Sequence, residues 1–158
     1  MHKARCGYSL VELLVVVAII GLMAAVAVPR LSYGLVYRTK ARAAAYRLVT
    51  DLRRTRALAI QDAATNKKGY TLLMTGSSPY SGYQIKSENE DTQQEQVLDN
   101  YRFESGVTAT IKGPNKFTFK PLGNLKPGSG RQITVSADGK EYVITFVQAT
   151  GAVSCTGR

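Results

Sequence analysis

Residues 7–28 read GYSLVELLVVVAIIGLMAAVAV, and this stretch decides the architecture. Residues 13–28 form an apolar run without a single charge. Counted from Tyr8 to Val28 the segment holds 21 residues. As a helix it is about 31 Å long, which matches the hydrocarbon core of a bilayer. Lys3 and Arg5 stand ahead of it, with no acid in residues 1–7. One residue breaks the pattern. Glu12 lies inside the run, close to its start, where an acid costs about 2.5–3.5 kcal/mol at mid-bilayer and less near the interface. Either its carboxylate reaches water at headgroup depth, or another subunit supplies a cation.

An ordinary secretory signal is the rival reading: basic start, apolar middle, and Ala25-Val26-Ala27 as a cleavage site after Ala27. Glu12 opposes it, because such a middle should be apolar. So does the helical pattern, which continues past the supposed cut. Four cations (Arg30, Arg38, Lys40 and Arg42) follow the span. The positive-inside count is therefore a poor guide, and orientation rests on the short leader, which is easily retained in the cytoplasm.

Gly7-Tyr8-Ser9-Leu10-Val11-Glu12, followed by 16 apolar residues, resembles the class III leader of type IV pilins and type II secretion pseudopilins. The resemblance implies cleavage between Gly7 and Tyr8 by a prepilin peptidase, then N-methylation of Tyr8. It implies that Glu12 pairs with the terminal amine of a neighbouring subunit during assembly. The chemistry fits: Gly7 lets a protease approach the backbone, and the amine freed at Tyr8 can neutralise a carboxylate in low dielectric.

Beyond the span, Leu31, Leu35, Ala41, Ala45, Leu48, Leu52, Thr55 and Ala59 recur mostly three or four apart, the period of an amphipathic helix. Asn66-Lys67-Lys68-Gly69 supplies a stop. The pattern predicts helix from Ser9 to Thr65, about 80 Å at the standard rise, with Gly21 and Pro29 as the places for a kink. Arg42, Arg47, Arg53, Arg54 and Arg56 fall off the stripe and read as a solvated face that later meets neighbours.

From Gly69 the pattern becomes short alternating runs between turn residues. Strands are expected at 70–74, 82–87, 107–111, 116–120, 132–136, 141–147 and 152–155, with a hairpin at Asp138-Gly139 and a turn at Ala149-Thr150-Gly151. Residues 87–100 are polar and read as a loop. The expected fold is α+β: leader 1–7, transmembrane and assembly helix 8–29, amphipathic helix 30–65 and β-rich domain 66–158. Its mainly antiparallel sheet should pack on Leu48, Leu52 and Ala59.

Enzyme chemistry finds no footing. The single histidine is His2, in the leader, and no phosphate loop joins a strand to a helix. No catalytic, metal or cofactor site is expected; Glu88, Glu90 and Asp91 read as a solvated acidic loop rather than a calcium site. Of the two cysteines, Cys6 lies in the leader and Cys155 reads as a small strand residue. The net charge of +10 is concentrated in the leader and the long helix. With Lys112, Lys116, Lys120, Lys126 and Arg131 it implies only weak, salt-sensitive nucleic-acid binding, typically ~10⁻⁴–10⁻⁶ M.

Residues 53–64 (RRTRALAIQDAA), residues 117–123 (FTFKPLG), residues 142–147 and Thr150-Gly151-Ala152-Val153 look like the GspH/FimT group of minor pilins. That resemblance implies a helix followed by a β-sandwich-like domain. Some FimT-type members bind DNA through a basic Gly-Arg motif near the C-terminus. Gly157-Arg158 lacks the second arginine, so the role is not carried over. The expected protein is a minor pilin or pseudopilin in the inner membrane, with its C-terminal domain in the periplasm. Its partners would be other subunits, the prepilin peptidase, the assembly platform and the lipid bilayer. The alternatives are a DNA-binding minor pilin of an uptake pilus and a major pilin.

Overall fold

The computed structural model describes residues 9–31, 33–88 and 95–157, with side chains apart from those of 26–31, 33–35 and 88. It divides into two compact units, Met1–Val36 and Tyr37–Arg158.

The first unit contains α1 (Leu10–Leu31). Ser9 precedes it, and the Ser9 carbonyl accepts from the N–H groups of Glu12 (3.0 Å) and Leu13 (3.2 Å), closing the first turn. Gly21 lies mid-helix and Pro29 near its end.

Helix α2 (Tyr33–Gln61) begins in the first unit, and from Tyr37 onward it contributes to the core of the second. Ala41, Ala45, Leu48, Leu52, Thr55 and Ala59 are fully buried, one stripe at helical spacing. Thr55 escapes an unsatisfied hydroxyl by donating to the Asp51 carbonyl one turn back, at 2.6 Å. The helix stops earlier than the sequence predicts, at Gln61, and residues 62–65 are turn. Asn66 explains the exit: its Oδ1 accepts from the N–H groups of Lys68 and Gly69, a local bond that competes with further helix.

Among the described residues eight strands follow: β1 (Tyr70–Thr75), β2 (Gly82–Glu88), β3 (Glu95–Arg102), β4 (Thr108–Lys112), β5 (Lys116–Phe119), β6 (Gln132–Ala137), β7 (Lys140–Val147) and β8 (Ala152–Gly157). They form two four-stranded antiparallel sheets, ordered β3-β2-β1-β5 and β4-β6-β7-β8. Leu72, Ile85 and Phe117 from the first sheet and Ile133, Val135 and Ile144 from the second join the α2 stripe in one buried cluster. Phe117 stacks on Phe146 at 4.8 Å, linking a strand of each sheet.

Two further sequence expectations are corrected. One sheet becomes two. The segment 87–100, read as a loop, contains most of β3, which pairs with β2. Burial explains the miss: β3 exposes nearly every residue, so its sequence shows no apolar face. It is held by its ladder and by ion pairs, Lys86–Glu95 at 2.8 Å and Arg54–Asp99 at 3.0 Å.

Candidate functional site

The sequence placed the chemistry at the N-terminus. Gly7 and Tyr8 lie outside the described residues. Glu12 sits in the first turn of α1, exposed. A carboxylate there faces the positive end of the helix dipole, a contact worth about 0.3–1 kcal/mol. Ser9 and Glu12 also have the S-x-x-E spacing of a capping box, a signal the sequence reading passed over.

From Leu13 to Ala25 α1 is apolar on every side. The large apolar side chains of residues 10–23 are 49 % to 78 % exposed. A helix apolar all round is buried in a large core or surrounded by lipid or other helices, because water rejects such a surface. Among the described residues no helix is long and apolar enough to cross a membrane. Residues 10–25, whose side chains are described, span only about 24 Å.

The prokaryotic N-terminal methylation motif matches residues 2–28. No curated protein and no solved structure matches the chain. The N-terminus is prepilin-type. It indicates a type IV pilin-like subunit, processed by a prepilin peptidase and assembled with other such subunits. The α+β fold, helix packed on antiparallel sheets, is consistent with it.

Other candidate residues gain partners that the sequence did not show. The helix arginines are a solvated face, with Arg42, Arg47, Arg53 and Arg54 exposed and Arg56 half-buried, yet most also hold partners within the domain. Arg53 donates to the Val153 carbonyl (3.3 Å), Arg54 to Asp99, and Arg56 Nε to the Gly123 carbonyl (3.0 Å). Arg47 lies over the Tyr101 ring at 4.1 Å and 3.8 Å from Asp51. Four of the five arginines therefore tie the helix to its own domain, and Arg42 covers Tyr46 one turn on. Guanidinium forks suit carbonyls and rings over long reach, which periodicity cannot foresee.

The cations of the β-domain do converge. Lys112, Lys126 and Arg131 line one groove, and Lys67, Lys68, Lys120 and Lys126 line an adjoining cleft. Cys155 lies half-buried in β8, and burial pushes its thiol pKa up, away from the reactive thiolate. Glu90 and Asp91, the centre of the acidic stretch, fall outside the described residues.

Proposed function

We propose that the chain is a minor pilin or pseudopilin of the GspH/FimT kind, a structural subunit of a type IV pilus or a type II secretion pseudopilus. Cleavage after Gly7 frees the Tyr8 amine, which is then methylated. Residues 8–29 anchor the subunit in the inner membrane, and the β-domain lies in the periplasm. During assembly, Glu12 of one subunit meets the Tyr8 amine of another.

One observation carries this reading: the methylation motif on residues 2–28 coincides with a helix whose apolar side chains stay uncovered. Such a surface requires lipid before assembly and neighbouring helices after it. The β-domain supports a structural role, since its buried residues form one packed core.

Intact-mass analysis of the membrane fraction tests the processing. The mature chain should begin at Tyr8 and carry one added methyl group. Gly7→Val should leave a leader-bearing precursor in the membrane, because a branched side chain blocks close approach of the peptidase. A mature chain beginning at Val28 would instead establish the secretory-signal reading.

A further inference from the structure

A groove of the β-domain lies where the loop between β5 and β6 passes the ends of β4 and β7, with a volume of about 890 Å³. That is the size of a small-ligand site. Its base is buried Leu125 and half-buried Phe146, and Pro114 and Pro127 add apolar surface. Around it stand the exposed cations Lys112, Lys126 and Arg131. No acid lines the groove, and no described carboxylate pairs with these three. The adjoining cleft of about 390 Å³ adds Lys67, Lys68 and Lys120 around the shared Lys126. Elsewhere in the domain Glu95, Asp99 and Glu104 each hold a cation. Six cations thus gather around two adjoining concavities, whose low-dielectric walls focus their field.

The neutral groups narrow the ligand. Gln132 and Gln148 present amides that both donate and accept. Ser129 Oγ accepts from the Thr118 N–H, which leaves its hydroxyl proton for a ligand. An extended peptide would need a free strand edge, and the strand edges at this groove are already occupied. Lys126 N–H donates to Thr118, Gly130 N–H to Lys116 and Arg131 N–H to Lys112. A nucleic-acid single strand held by base stacking needs open aromatic faces, and the one ring lining this groove, Phe146, is already stacked on Phe117. A sugar chain fits the remaining features: C–H faces on the exposed Pro114 and Pro127, hydroxyls on the amides and Ser129, acid groups on the cations.

We propose that this groove binds an acidic saccharide, a short stretch of polysaccharide carrying carboxylate groups, with Lys126 and Arg131 as its main anion contacts. The site goes beyond the filament role and does not depend on it.

Calorimetric titration of the full chain in detergent micelles tests it with three probes: oligogalacturonate, a neutral malto-oligosaccharide of matched length, and a single-stranded DNA oligonucleotide. Oligogalacturonate should bind, and the neutral sugar should not bind at the same concentration. Lys126→Gln with Arg131→Gln should weaken binding about tenfold or more. Arg42→Gln with Lys140→Gln, which remove the same charge elsewhere, should change it less than about twofold. Gln148→Ala removes no charge and should also weaken binding, so the result does not rest on one variant; a thermal melt checks that each still folds. The proposal fails if oligogalacturonate does not bind, if the neutral sugar binds equally, or if both charge pairs weaken binding alike. Tighter binding of the DNA through Lys126 and Arg131 also overturns it and makes the groove a nucleic-acid site.

Discussion

Glu12 and Tyr83 show how one side chain can govern assembly or folding. Glu12 lies exposed at the start of α1, so Glu12→Ala removes a helix-dipole contact of about 0.3–1 kcal/mol and leaves no hole. Insertion should become easier, since the polar penalty disappears, while incorporation into filaments drops. Quantifying the variant in membranes and in sheared filaments, at native expression, checks both; normal incorporation would refute the pairing with the Tyr8 amine. Tyr83 is the folding case. Its ring is buried among Tyr101 and Phe103, and its hydroxyl donates to Asp51 at 2.5 Å. Burial first, then the Asp51 hydrogen bond and charge, push the phenol pKa far up. A folded pKa above the unfolded value near 10 means this contribution is complete below about pH 10 and is lost as pH rises further. Urea midpoints of the native domain should therefore fall between about pH 9 and 11. Tyr83→Phe should fall less steeply there and start lower, by about 1.5–3 kcal/mol at neutral pH, because Asp51 loses a charge-assisted bond.

At the scale of elements, glycines and arginines set where the helix meets the sheets. Gly151 has φ 67°, and a Cβ there would strike the Gly123 carbonyl, the same oxygen that accepts from Arg56. Gly139 has a similar φ of 72° but open space around it. Both Gly→Ala variants bear the left-handed strain of about 1–2 kcal/mol. Gly151→Ala should show a distinctly larger loss of melting temperature, and equal losses would mean the close approach is unimportant. The elements themselves were unevenly legible. The α2 stripe stood out because its burial is one-sided, and Asp138-Gly139 marked the β6–β7 hairpin because Asp138 (φ 48°) and Gly139 both need positive φ. β3 was hidden, because an exposed edge strand keeps the pairing but loses the alternation. The partners of Arg53, Arg54 and Arg56 were equally hidden, since each lies at least 45 residues away in the chain. At the candidate site the motif around Gly7 was plain in the sequence, while the groove at Lys126 exists only once two sheets and a loop converge.

For the whole molecule, the contrast between the two units decides solution behaviour. In Tyr37–Arg158 the helix stripe and both sheets close over one core, and 23 apolar residues are buried there. A few large apolar side chains remain out, with Leu122 at 89 % the most exposed, and isolated ones are ordinary for a soluble surface. In α1 the situation reverses, because none of the described side chains is covered. A chain that begins at Tyr37 keeps every buried residue and every strand and sheds that uncovered helix. It should therefore be a soluble monomer, its circular dichroism showing helix and strand together, with a cooperative thermal transition. The full chain should need detergent and should associate when detergent is withdrawn. Sedimentation of both chains checks the pair of outcomes. A truncated chain that aggregates would mean the β-domain needs cover it does not carry itself. A full chain that stays monomeric without detergent would remove the reason for placing α1 in lipid or among the helices of other subunits.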